Sequence, residues 1–301
     1  MGFKKANPDT HQECRSLLQK AVRRGAPALV EKVVFHLNQI GDKSWLKNRT
    51  AIITYEECWP LAQDLSDVVD MVDISEHLKK VSRSIKNKDA AGLGSLAYEY
   101  HQGSREVLDF VLDFNSFWTV ANALNNPEDF WSRMISETDR SERKKNLLAA
   151  KKVYSGSGWP WDKAFIIAGA HLAQDENPPP ADEVEDEIAM SDFPYWVALD
   201  KHTSMGKKII RETAKKVDIS ASTLSWINFY FESVLTNQST YSPWWQAEMQ
   251  WRLDSMGLTE AEAEQTWIEV KHIYQEIAAE KENWLKEHIQ NSYTPIERKL
   301  F

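Results

Sequence analysis

In LDKHTSMGKK, Leu199 to Lys208, Asp200, His202, Thr203, Ser204, Gly206, Lys207 and Lys208 crowd into one short stretch. An acid beside a histidine is the raw material of proton transfer, and hydroxyls ahead of paired lysines suit an anion. Thr203 or Ser204 can cap a helix whose free N–H groups and partial positive charge favour phosphate at its start. Lys208, Arg211 and Lys215 follow at i, i+3 and i+7, one side of a helix, with Lys207 and Lys216 beside them. The plainer reading is a capped, solvated, lysine-rich helix.

Further basic groups are Lys20, Arg23 and Arg24; Lys79, Lys80, Arg83, Lys86 and Lys88; and Arg143, Lys144, Lys145, Lys151 and Lys152. Each alone reads as a solvated helix face. Four such runs in a chain of net charge −9 suggest acid and base segregated to different faces, which leaves room for phosphate contacts. Glu56 and Glu57 are a candidate metal or general-acid pair, but neighbours on a helix diverge by about 100°. A structural or partner-binding role, with Arg49 two turns earlier on the same face as Glu56, is the expectation.

Other chemistries lack their signatures. There is no GxxxxGK[ST], GxGxxG or HExxH, so neither familiar nucleotide loop is present. Cys14 and Cys58 are not paired as CxxC, and no zinc cluster, metal or cofactor is expected. The other histidines considered, His101, His171, His272 and His288, share no i,i+4 partner and read as structural. Ser155 to Gly158, SGSG, reads as a flexible turn, and Gly92-Leu93-Gly94 as small residues for close helix packing.

These residues must be held by helices. Cys14, Leu17, Leu18, Ala21 and Val22 recur at three- and four-residue intervals, Gly25 stops that pattern, and Pro27 opens the next, which ends at Gly41. SWLKNRTAIITYEECW is too long for a strand and carries no turn signal, so a buried helix from Ser44 to Pro60 is predicted. Helical patterns continue to a final run from Glu260 to about Gln290. No strand alternation or repeat interrupts them, and the expected fold is all-α, a multi-helix bundle or array. QDENPPPADEVEDE, acidic and rich in proline, predicts a linker over 174–191 between helical domains at 1–173 and 192–301.

With 301 residues, 42% hydrophobic and 27% charged, the chain can build sizeable cores. Thirteen tryptophans predict an interior or interface rich in aromatic rings. No apolar run approaches a membrane span, and the opening residues lack a secretory core. A reduced cytoplasmic protein without membrane contact is expected.

SLLQKAVRRGAPALVEKVVFHL followed by WLKNRTAIITYEECW resembles the helical region after the ATPase module in clamp-loader-like AAA+ proteins of bacterial replication and repair. Leu18 to Gly25 match the family's Lys-Ala-Ile-Arg-Arg-Gly helix. Trp45, Arg49, Ile52, Ile53, Glu56 and Glu57 match its Trp-Arg-Arg-Leu and Ile-Ile-Ala-x-Glu-Asp segments. ALDKHTSMGKK is similar to a segment of stand-alone relatives in bacteriophages and plasmids. Glu57 stands for the usual Asp, and Cys58-Trp59-Pro60 for a Val-Gly continuation. The resemblance implies a collar-like helical domain that oligomerises or docks replication proteins, without ATP-driven loading.

The expectation is a non-enzymatic accessory factor of DNA replication or repair, binding DNA or a replication protein. Its basic contacts would be Lys79, Lys80, Arg83, Lys86, Lys207, Lys208, Arg211 and Lys215, with Arg49, Glu56 and Glu57 in a structural or oligomer role. Alternatives are a nucleic-acid-acting enzyme using Asp200 and His202, and an acidic adaptor or inhibitor that mimics DNA through 174–187.

Overall fold

The computed structural model describes residues 8–138, 140–174, 178–184, 186–236 and 242–292. Among them the chain is all helix and turn, and its only β pairings are isolated bridges between Cys58 and Asn87 and between Ser84 and Glu183. The helices are α1 (Pro8–Arg23), α2 (Pro27–Gln39), α3 (Lys43–Glu57), α4 (Met71–Arg83) and α5 (Asp89–His101). They continue as α6 (Phe114–Asn125), α7 (Pro127–Glu137), α8 (Ser141–Gly156) and α9 (Pro160–Leu172). The last are α10 (Ser204–Val217), α11 (Ala221–Asn228), α12 (Pro243–Asp254) and α13 (Glu260–Gln290). None is long and apolar enough to cross a membrane.

Local chemistry sets the ends. Gly25, at φ +70°, takes the left-handed turn after α1, and Pro27 starts α2, where a missing N–H costs no helix bond. Capping boxes at Asp70 with Asp73, and at Thr259 with Glu262, open α4 and α13. The α3 helix stops at Glu57 because Pro60 follows, and the chain tightens into a 3₁₀ stretch over Trp59–Asp67.

Two hydrophobic clusters form the interior. The first gathers residues of α1, α2, α4, α10, α11 and α13, with Met249 and Leu253 of α12; the second gathers α5 to α9 with Trp244, Ala247 and Trp251 of α12. The α3 helix serves both, for Ile53 lies in the first and Ile52 and Tyr55 in the second. That explains why its apolar run is continuous, since a helix walled on two sides has no dry and wet face. Within the second cluster α5 lies between α9 and α12. A Cβ on Gly92 would stand 2.2 Å from the Trp244 backbone, and one on Gly94 would stand 2.9 Å from that of Ala164.

Both clusters draw on residues before and after the acidic segment at 174–191, and the second half of that segment hydrogen-bonds to the body. Ile85 N–H donates to Asp182 O (2.9 Å), Val184 N–H to Arg83 O (2.8 Å) and Ile188 N–H to Gly25 O (2.8 Å). Residues 175–177 and 185, part of the expected DNA-mimicking loop, lie outside the described residues.

Candidate functional site

The last turn of α1 points its cations inward. Lys20 and Arg23 are each 1% exposed and Arg24 is 8% exposed, so each needs a partner where it sits. Arg23 Nε donates to Glu57 Oε1 (2.6 Å), Nη2 to Glu56 Oε1 (2.7 Å) and Nη1 to the Ser233 carbonyl (2.7 Å). Lys88 Nζ donates to the other oxygen of Glu57 (2.7 Å). Burial alone would raise the Glu57 carboxyl, but Arg23 and Lys88 outweigh it and hold it at about 2. Burial and the nearby Arg23 charge push the Lys88 amine down to about 8.

The second oxygen of Glu56 accepts from Gln19 (2.5 Å), with Arg49 Nη2 at 3.5 Å. Arg49 spends its other arm on Asp162 of α9 (2.9 Å). Arg24 donates to Glu232 Oε1 (2.8 Å), and Glu232 also takes the Trp267 indole N–H (3.1 Å) and the Lys271 amine (2.7 Å).

Lys20 carries the network to the LDKHT segment. Its Nζ donates to Asp200 Oδ2 (2.5 Å), the oxygen that also meets His202 Nδ1 at 2.9 Å. Burial would raise the Asp200 carboxyl, yet His202 and Lys20 hold it well below the usual range. His202 itself is half exposed. Next to it Lys201 Nζ sits 2.9 Å from the Trp226 ring centre and 4.1 Å from that of Phe229, and burial pushes its amine down to about 7. Arg252 stacks on Trp226 and Trp251, each at 4.3 Å, so much of the tryptophan content encloses cations. The three stretches that carry the resemblance, on α1, on α3 and at 198–208, therefore meet in one buried ionic network.

Glu56 and Glu57 leave α3 about 100° apart, and the planar guanidinium of Arg23 from the neighbouring α1 spans the gap and serves both. Arg49 and Glu56 approach as predicted, with Asp162 the closer partner of Arg49.

The basic groups divide sharply. Lys86 is corrected as a surface contact. It is fully buried, and its amine donates to the carbonyls of Val81 (2.8 Å), Ser82 (2.9 Å) and Ser84 (2.7 Å), closing the end of α4. Around it Lys79 pairs with Glu76 (2.9 Å), Lys80 with Asp64 (2.7 Å) and Arg83 with Glu187 (2.6 Å), so acid already covers this run. The α10 face is different. Lys207, Lys208, Arg211 and Lys215 are all exposed, opposite buried Ile209, Ile210 and Ala214. Among the described residues its carboxylate contact is Lys208 to Glu212, a loose 3.9 Å. Thr203 caps the helix, its hydroxyl accepting from Gly206 N–H (2.9 Å).

Sequence reasoning missed Asp162 and Glu232, and left Lys20, Arg23, Arg24 and Lys88 on solvated faces. A signal was present, because at about 100° per residue Lys20 and Arg24 fall within about 60° of Leu17, on the apolar side of α1. Searches of protein-family models, of curated proteins and of solved structures find no match to this chain.

Proposed function

We propose that this chain is a non-enzymatic helical accessory factor of DNA replication or repair, collar-like in the clamp-loader sense, acting in the cytoplasm. It engages a phosphate backbone through the Lys207, Lys208, Arg211 and Lys215 face of α10. The observation that carries this reading is that face: four exposed cations on one side of a capped helix, with one loose carboxylate contact among the described residues. A net charge of −9 makes such a concentration of uncovered cations a selective anion surface, not a property of the whole molecule. The convergence of the three family-like stretches supports the collar-like part, and self-association or docking on a replication protein goes with it.

The test is DNA affinity against salt for the wild type and for a Lys208→Ala, Arg211→Ala, Lys215→Ala triple variant. Removing a cation that touches phosphate should lower the salt slope by about one. A wild type that fails to bind DNA at low salt ends the DNA reading, and an unchanged slope in the variant moves the binding face off α10.

The arrangement of Asp200 and His202 favours one second reading. Buried Asp200 orients His202 through Nδ1, as a carboxylate orients a catalytic imidazole. Against it, Lys20 claims the same oxygen. Metal-dependent nuclease activity that disappears in His202→Ala would establish the enzyme; no activity leaves the binding role.

A further inference from the structure

Cys14 of α1, His36 of α2 and His288 of α13 are far apart in sequence, yet one ligand-type atom from each lies within 4.8 Å of the other two. Cys14 is fully buried and His36 is 5% exposed, whereas His288 is partly open. The two imidazoles meet at 3.2 Å between their Nε2 atoms and cross edge to face. Around a tetrahedral divalent ion, two nitrogens stand about 3.3 Å apart and a nitrogen and a sulfur about 3.6 Å apart. The nitrogens already have that spacing, and a shift on the order of 1 Å on the sulfur side completes the set.

We propose that Cys14, His36 and His288 form a binding site for a divalent transition metal of the zinc class. One sulfur and two imidazole nitrogens select zinc, cobalt or copper over magnesium and calcium, which take oxygen. An open cleft lined by His36, Ile40, Trp284, Glu287, His288 and Asn291 gives the ion a way in and solvent a fourth coordination position. Trp284 stacks on His288 with ring centres 5.0 Å apart and fixes its plane. His11, one turn before Cys14 on α1, brings another imidazole to this corner. Its Nδ1 is 3.3 Å from Asp42, and its Nε2 is buried with no hydrogen-bond partner among the described residues.

Before a metal binds, the three ligand side chains carry no net charge. Burial, with Glu13 and Asp42 adding to it, pushes the Cys14 thiol up to about 12. Burial, helped by His288, His11 and Lys32, pushes His36 down to about 4. Loading therefore releases one proton. The Cys14 S–H bond breaks, its proton goes to water, and a sulfur–metal bond forms. The Nε2–H shared by the imidazoles moves to an Nδ1 through solvent with no net loss. A divalent ion plus one thiolate leaves a charge of +1, and nothing is oxidised or reduced.

The experiment titrates the full chain, stripped with EDTA, with Co²⁺ as a spectroscopic stand-in for Zn²⁺. The expected result is a thiolate-to-cobalt charge-transfer band that saturates at one equivalent and is bleached by Zn²⁺. Affinity should fall about tenfold per unit drop in pH, as release of one proton requires. Cys14→Ser should abolish the band. His288→Gln, at a partly exposed position and checked for helical content, should weaken binding at least tenfold. Absence of the band in wild type, its survival in Cys14→Ser, or wild-type affinity in His288→Gln would each overturn the site.

Discussion

The guanidinium of Arg23 sits between two consecutive carboxylates, 2.6 Å from Glu57 and 2.7 Å from Glu56. The two acids are not equivalent. Glu57 is fully buried and answers a second cation, Lys88, while Glu56 keeps 8% of its surface and shares Gln19. Removing one partner of a buried pair strands the other's charge, so Glu57→Ala should cost about 3–5 kcal/mol of stability. Glu56→Ala should cost about 1–3 kcal/mol. Urea unfolding of the two variants at pH 7 checks the order, and equal losses would contradict it.

Gly92 has no room for a methyl group, since its Cβ would overlap the Trp244 and Trp245 backbone. Gly92→Ala should therefore force α5 and α12 apart and cost about 3 kcal/mol or more. Gly156 has nothing within 4 Å of its missing Cβ, and Gly156→Ala is the neutral control. Melting temperatures decide it; a Gly92→Ala protein as stable as the control would refute the close approach.

Lys86 and its neighbours should separate structure from binding. Lys86→Ala leaves three carbonyls at the end of α4 without their donor and should cost about 1–3 kcal/mol. A Lys79→Ala, Lys80→Ala, Arg83→Ala variant should leave the salt slope of DNA binding unchanged, because those cations already face carboxylates. A lowered slope in that variant would restore this run as a DNA-binding face.

Acid should destabilise the fold in two windows. Burial holds His77, whose Nε2 meets the Thr54 hydroxyl at 2.9 Å, down at about 4. The unfolded chain takes up that proton near pH 6.5 and the folded one only near 4. Stability therefore falls as pH drops from about 6.5 to about 4, by up to about 3 kcal/mol, and His36 adds to the same window. Glu57 acts lower. Its contribution is complete above about 4.5 and is lost as pH falls through about 2. Urea midpoints at pH 7, 5.5 and 4.5 should show the first window, and His77→Gln should flatten it. An unchanged slope in that variant would remove His77 as the cause.

The all-α fold was legible because its helices carry a 3.6-residue apolar repeat with proline, glycine and hydroxyl punctuation, as at Gly25, Pro27 and Thr203. Even α3, whose second half from Thr50 to Glu57 is buried all round, could be recognised by length. The candidate site was less legible. Lysine and arginine look alike in sequence whether they face water or an acid, and the acid that neutralises Lys20 lies 180 positions away. Arg23 and Lys86 were therefore indistinguishable in kind from Lys208. Cys14, His36 and His288 had no common spacing to announce them, because three separate helices bring them together.

Ile52 and Ile53, consecutive on α3, belong to different hydrophobic clusters. Neither half of the molecule can let go of this helix without opening the interior of the other. The two clusters should melt as one cooperative unit, in a single transition seen alike by tryptophan fluorescence and by helical signal. The backbone amides from Ala51 to Tyr55 should be among the slowest to exchange with solvent deuterium, opening only when the whole chain unfolds.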